Sequence, residues 1–219
     1  MNPIGENLYS QLGEERIIRA FFNDMRGGFY VDIGAAWGDK VSTSLYLDKE
    51  LGWRGIGVDA LEFYGKTWAE TRPDSTFLNY AVTERSGDTI DFYHAVIPTL
   101  STMYPRMLER WKLSADRSKH RRVTTISLDD LLEQQGVSHI DFLSIDTEGS
   151  EPGVLRGFTL ARYRPKLVCI EAVADEGNNG FILEYFKSGG YVRIEECDSL
   201  DSINWYFHHH SSGFRPNLL

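Results

Sequence analysis

Five acids and two glycines carry the chemistry legible in this chain. Asp32 lies in the apolar run Phe29-Tyr-Val-Asp-Ile33, which breaks straight into Gly34-Ala-Ala-Trp-Gly38, a turn that small residues favour. A nucleotide-binding turn has this form. Gly34 and Gly38 let the backbone approach a ligand closely, and Asp32 brings a carboxylate to the carboxyl end of the strand. A second apolar run, Gly55-Ile-Gly-Val-Asp59, ends in another acid about 20 residues beyond the turn, where a ribose-binding acid is expected in a first βαβ unit. Together the two acids suggest S-adenosylmethionine rather than a dinucleotide. Further on, the run from Ile140 to Ile145 ends in Asp146-Thr-Glu148-Gly149, and Leu167 to Ile170 ends in Glu171. Residues just past strand ends face the ligand crevice of a doubly wound sheet, so Asp146, Glu148 and Glu171 are candidates for catalysis.

The elements that must hold these residues follow from hydrophobic spacing. Ile17, Ile18, Phe21 and Phe22 give a helical period over Glu14 to Met25, stopped by Gly27-Gly28. A helix over Ser42 to Glu50, closed by Gly52, joins the first two strands. A helix over Tyr64 to Arg72, halted at Pro73, leads to a third strand over Ser75 to Asn79 that runs on into Tyr80-Ala81-Val82. From Asp88 to Arg122 the periodicity weakens: Thr89 to His94 has strand character, and Ile97 to Pro105 has loop chemistry. Leu128 to Gln134 is then helical, and Ile140 to Ile145 and Leu167 to Ile170 are strands four and five. A helix over Phe181 to Phe186 stops at Gly189-Gly190, before strands over Tyr191 to Glu195 and Ile203 to Phe207. The expected fold is α/β: a doubly wound, mostly parallel seven-stranded sheet with helices on both faces and an antiparallel last strand. It is read as one domain over 1–219, with a helical lead-in over 1–27 and a catalytic core over 28–207.

Composition narrows the partners. A net charge of −9 repels a phosphate backbone, so no nucleic-acid partner is expected, and the one basic cluster, Arg117-Ser-Lys-His-Arg-Arg122, reads first as a solvated face and second as a contact for an acidic acceptor. Cys169 and Cys197 form neither a CxxC pair nor a disulfide framework, which fits a reducing cytoplasm. No apolar run approaches the roughly 20 residues that span a bilayer. The His208-His209-His210 run is too isolated to define an ordered metal site, and the lone His94 and His120 read as structural or exposed.

Tyr30-Val-Asp-Ile-Gly34, Val123 to Leu131, Ile140-Asp-Phe-Leu-Ser-Ile-Asp-Thr-Glu-Gly-Ser-Glu151 and Val154-Leu-Arg-Gly157 together resemble the FkbM family of S-adenosylmethionine-dependent methyltransferases. The stretch from Ile140 to Gly157 is the most specific part. The opening Tyr9-Ser-Gln-Leu-Gly-Glu14 resembles the lead-in of one branch of that family, and on this ground alone Ser10 and Gln11 are candidate cofactor contacts. Two positions depart from the pattern: Asp59 in Val-Asp-Ala, where many members carry Glu-Pro, and Trp37, where a small or polar residue is common. The resemblance implies O-methylation, mostly of sugars or other natural products.

The cofactor set expected is Asp32 near the methionine amino group, Gly34, Ala35 and Gly38 in the first turn, Asp59 on the ribose with Ala60 beside it, Asn79 and Ala81 bordering the adenine, and Asp146 at the methyl centre. Asp32 could instead stabilise its turn, and Asp59 or Asp146 could cap a following helix. Methyl transfer is an in-line displacement in which acceptor oxygen and methyl carbon meet at ~3 Å, and a base beside the hydroxyl contributes on the order of 10²- to 10⁴-fold. Asp146 and Glu171 could hold a divalent cation such as magnesium through hard oxygens, which the pattern permits without indicating it; they could equally share a proton and act as a metal-free base. Ser101-Thr102-Met103 could line the acceptor pocket, and Cys169 is expected to pack in the sheet. A nicotinamide oxidoreductase is disfavoured because Gly34-Ala-Ala-Trp-Gly38 lacks the middle glycine that admits a pyrophosphate. A DNA amino methyltransferase is disfavoured by Asp146-Thr-Glu-Gly in place of an acid or Asn followed by Pro-Pro, and by the global charge. The stronger rival is a catalytically silent module that binds a glycan or protein partner, with Trp37 narrowing the cofactor pocket.

Overall fold

The computed structural model describes residues 8–112, 120–172 and 176–212. In chain order the strands are β1 (Phe29–Ile33), β2 (Arg54–Asp59), β3 (Thr76–Asn79), β4 (Ala81–Thr83), β5 (Thr89–Phe92), β6 (Arg121–Ser127), β7 (Phe142–Ile145), β8 (Leu167–Glu171), β9 (Tyr191–Arg193) and β10 (Asn204–His209). The helices are α1 (Glu14–Phe22), α2 (Leu45–Leu51), α3 (Tyr64–Thr71), α4 (Pro105–Arg110), α5 (Leu128–Gln134), α6 (Glu151–Arg156), α7 (Leu160–Tyr163) and α8 (Glu176–Ser188). Seven strands form one sheet in the order β3-β2-β1-β7-β8-β10-β9. The pairings from β3 to β8 are parallel, and β10 runs antiparallel to both its neighbours. The chain steps outward one way from β1 to β3 and returns on the other side at β7, so the switch point lies between β1 and β7. The carboxyl ends of the parallel strands share one rim there.

Alternation along the strands explains why both faces are covered. Val31 and Ile33 of β1, Leu143 and Ile145 of β7, and Val168 and Ile170 of β8 point into a core built with Leu131, Leu155 and Phe186 from α5, α6 and α8. Tyr30, Phe142, Leu167 and Cys169 point the other way, onto Ile17 and Ile18 of α1, Leu47 of α2 and Trp68 of α3. By the same alternation Asp32 and its register partner Ser144 belong to this second face. No described helix is long and apolar enough to cross a membrane.

Several elements differ from the sequence expectation. α1 ends at Phe22 because Asn23 and Asp24 both turn left-handed, with φ of 49° and 52°. α2 begins at Leu45, since Ser42 and Ser44 are engaged by Arg72. α8 starts at Glu176, ahead of the expected Phe181. In the irregular region β6, which was not anticipated, pairs parallel with β4 and antiparallel with β5 in a separate three-stranded sheet. α4 follows a short 3₁₀ turn over Pro98–Leu100.

Candidate functional site

The turn after β1 is knitted to both neighbours. The amides of Gly34 and Ala35 donate to the Val58 carbonyl at 2.9 and 3.1 Å, and the Asp146 amide donates to the Ile33 carbonyl at 2.8 Å. Gly34 has a φ of +83°, and a Cβ there would lie 1.6 Å from the Asp146 carbonyl oxygen. Only glycine fits. Gly38 was expected to meet a ligand, but its close approach is to α3: a Cβ would lie 2.6 Å from the Trp68 amide nitrogen. Its amide donates to Thr67 Oγ1 at 3.0 Å and its carbonyl accepts from Arg72 Nε at 2.9 Å. Trp37 turns to the same side. It packs edge-on to Tyr64 with ring centroids 4.8 Å apart, carries Lys40 Nζ over its ring, and does not line the cleft.

Asp32 is also turned away from the cleft. Its carboxylate is buried and accepts from Ser44 Oγ at 2.5 Å. Ser44 in turn accepts from Arg72, whose fully buried guanidinium also donates to Ser42 Oγ at 2.6 Å. Burial raises the Asp32 pKa, against the opposing pull of Ser44 and Arg72. The structure therefore gives Asp32 a role in anchoring the loop between Gly38 and α2. Ala35 is buried and outside the cleft lining.

The cleft opens over the carboxyl ends of β1, β2 and β7, with about 480 Å³ of free space that includes its open mouth. Asp59, Ala60 and Ala81 line it, with Tyr80, Phe92 and Met103 as apolar walls. Asp59 Oδ1 accepts from the Leu61 amide at 2.8 Å and Oδ2 from the Ala36 amide at 3.1 Å, so the carboxylate is fixed while each oxygen keeps a free lone pair. Burial pushes Asp59 up to about 7, against those two hydrogen bonds and with the Asp32 charge adding to the rise. Asn79 is exposed and donates from Nδ2 to the Asp59 carbonyl at 2.9 Å. Ser101 and Met103 line the cleft, whereas Thr102 donates from Oγ1 to the Glu148 carbonyl at 3.0 Å.

At the β7 rim the loop winds around one carboxylate that pattern reading overlooked. Glu151 Oε1 accepts from the Thr147 amide at 2.9 Å, Thr147 Oγ1 at 3.0 Å and the Gly149 amide at 3.1 Å. This grip holds Glu148 in the left-handed region at φ 56°, a conformation such sites store at a cost of order 1–3 kcal/mol. The only early signal for Glu151 was its place in the Asp-x-Glu-Gly-x-Glu sequence. One oxygen from each of Asp146, Glu148 and Glu171 lies within 4.8 Å of the others, the one converging group of potential metal ligands among the described residues. Glu148 and Glu171 are more than nine-tenths buried, while Asp146 is exposed to the cleft. Burial first, then the neighbouring charge of Asp146, holds Glu148 and Glu171 well above the usual carboxylate range. Asp146 rises too, through loss of hydration and then the charges of Glu151 and Asp32; its exposure lets solvent moderate that rise.

Other expected residues stay apart. Ser10 donates through its amide at 3.0 Å and through its hydroxyl to Glu15, and neither Ser10 nor exposed Gln11 lines the cleft. His94 packs near Phe63, and exposed His120 lies 3.8 Å from Asp91. Arg121 and Arg122 line a second groove with Lys66 and Asn79, while Arg117, Ser118 and Lys119 of the basic cluster lie outside the described residues. Cys169 packs in the sheet as expected.

No curated protein matches the chain. Among solved structures, a TehB-like SAM-dependent methyltransferase from Corynebacterium glutamicum is 15% identical, with a TM-score of 0.49 over 94% of this chain and 90% of that one. A SAM-dependent methyltransferase from Thiobacillus denitrificans in complex with S-adenosyl-L-homocysteine is 10% identical, with a TM-score of 0.44 over 92% and 75% of the two chains. One from Geobacter sulfurreducens, also in complex with S-adenosyl-L-homocysteine, is 11% identical, with a TM-score of 0.44 over 90% and 74%. The methyltransferase FkbM domain matches residues 32–193. Spanning most of its length, that match makes the chain a member of the FkbM methyltransferase family.

Proposed function

We propose that the protein is an S-adenosylmethionine-dependent O-methyltransferase that transfers a methyl group to a hydroxyl of a sugar or glycan. The observation that carries this reading is the group of carboxylates Asp146, Glu148 and Glu171: the first two line a cleft that also exposes the Asp59 carboxylate and the Gly34 backbone, and Glu171 converges on them from the end of β8. In the proposed complex Asp59 accepts from the ribose hydroxyls, with Ala60, Asn79 and Ala81 beside the adenine, and the methionine end follows Gly34 towards Asp146. Asp32, Ala35 and Gly38 hold the turn from behind, and Ser10 and Gln11 have no cofactor role in this reading.

Transfer destroys the positive charge on sulfur and leaves a proton to be lost from the acceptor oxygen. A site built for it needs an acceptor held in line at ~3 Å and oxygen ligands beside the hydroxyl, rather than extra anionic charge aimed at the sulfonium. Three converging carboxylates meet that need. The sugar as acceptor rests on the family resemblance. Trp37, the feature that favoured a silent binding module, packs away from the cleft on Phe63 and Tyr64, which removes the specific support for that reading. Two buried unpaired cysteines favour a reducing setting, and we propose the cytoplasm.

Calorimetry with S-adenosylhomocysteine, followed by a screen of glycans for a gain of ~14 Da, one added CH₂, tests the proposal. Asp146→Asn is expected to abolish turnover while leaving cofactor binding nearly intact. Failure to bind the cofactor product at about 1 mM would refute the enzyme reading.

A further inference from the structure

We propose that Asp146, Glu148 and Glu171 form a binding site for one hard divalent cation of the magnesium or manganese class, set between the ends of β7 and β8 at the cleft. The site deepens the O-methyltransferase reading, on which its catalytic meaning rests. Two independent observations support it. The first is convergence: one oxygen from each residue lies within 4.8 Å of the others. Two oxygens on opposite sides of one cation lie ~4.2 Å apart at a bond length of about 2.0–2.1 Å and about 4.6–5.2 Å apart at 2.3–2.6 Å, with adjacent oxygens closer, so three oxygens no more than 4.8 Å apart reach one ion by drawing inward on binding.

The second is a pair of orphaned atoms. Glu148 Oε2 and Glu171 Oε2 are buried without a hydrogen-bond partner, on side chains more than nine-tenths buried. Among the described residues no Lys, Arg or His forms an ion pair with either glutamate or with Asp146. Buried carboxylates are ordinarily paired or coordinate a metal. A proton shared between Asp146 and Glu171 satisfies that contact alone and leaves Glu148 Oε2 without a donor. A cation satisfies all three, and an all-oxygen donor set selects magnesium, manganese or calcium over zinc or copper. The neighbouring carboxylate, Glu151, is already committed to the Thr147 and Gly149 amides and holds the ligand loop in shape.

With three protein oxygens in place, the cation keeps positions for water and for an acceptor hydroxyl. Binding that hydroxyl lowers its pKa, so the proton leaves to solvent at the cleft mouth. The oxygen's electron pair then forms the O–CH₃ bond while the S–CH₃ pair returns to sulfur, giving neutral S-adenosylhomocysteine.

The test uses chelator-treated full-length protein titrated with Mn²⁺, the free ion being followed by electron paramagnetic resonance. One saturable equivalent is expected, displaced by excess Mg²⁺, with affinity falling at least ~10-fold in Glu148→Gln and in Glu171→Gln. Circular dichroism and S-adenosylhomocysteine binding show that each variant remains folded. If either glutamine variant misfolds, Asp146→Asn carries the same comparison, because that side chain is exposed. Absence of saturable binding in the unaltered protein overturns the site, as does binding unchanged by the substitutions. Methyl transfer that survives exhaustive chelation, with no Mn²⁺ bound, removes the cation and leaves the methyltransferase reading standing. One Mn²⁺ held by the trio with no hydroxyl methylated does the reverse.

Discussion

Lowering the pH should loosen S-adenosylhomocysteine through protonation of Asp59. Burial holds this carboxyl at about 7 in the unliganded protein. A ribose diol donating to it favours the charged form, so binding depresses the pKa in the complex and releases a proton wherever the free protein is protonated. The sign follows: affinity rises with pH up to the free-state pKa and is level above it. With a free-state pKa of about 7 and a bound-state pKa near the ordinary carboxylate value, Kd is expected to be about tenfold larger at pH ~6 than at pH ~8. Asp59 is half-buried, so solvent screening lowers the figure; a free-state pKa one unit lower leaves about a twofold change. Isothermal titration in buffers of different ionisation enthalpy reads both the affinity and the proton released. Asp59→Asn should flatten the profile and weaken binding at pH ~8 by about 10- to 100-fold, the loss of a charge-assisted pair of hydrogen bonds. A wild-type profile flat from pH ~6 to ~8, or the same slope in the Asn variant, would refute the assignment of Asp59 to the ribose.

Two substitutions behind the cleft test the architecture. Gly34→Ala combines a left-handed φ with a Cβ 1.6 Å from the Asp146 carbonyl oxygen, and is expected to lose about 2–5 kcal/mol in urea unfolding. Wild-type stability would show that β1 and β7 do not approach as described. Arg72→Met strips the donors from Ser42 and Ser44 and leaves buried Asp32 without its nearby cation, an expected loss of about 3–5 kcal/mol. A loss below about 1 kcal/mol would mean that Arg72 does not anchor the Gly38 loop.

The resemblance to known methyltransferases was carried by local features. β1 was legible because a parallel strand buried on both faces reads as a continuous apolar run, and its end was marked by a glycine no other residue can replace. α5 was legible from Leu128, Leu131 and Leu132 at helical spacing. β6 was not. Arg121, Arg122 and Thr124 are exposed and the strand's partners, β4 and β5, lie far back in the chain, so its pairing left no periodic mark.

What the chain order alone determined was the identity of the strand ends and the acids that follow them, because the period of a buried strand and the chemistry of a turn are properties of neighbouring residues. Where those acids point was decided only in three dimensions. Asp32 and Asp59 both read as acids near a strand end, yet Asp32, one residue inside β1, is drawn behind the sheet by Ser44 and Arg72, while Asp59, the last residue of β2, stays on the cleft wall. Gly38 packs closely on α3 for the same reason: its nearest atoms belong to residues about 30 positions away along the chain, and such distant contacts leave no trace in local spacing. The convergence of Asp146, Glu148 and Glu171 likewise exists only because β7 and β8 are adjacent and parallel, which brings two separate strand ends to one point.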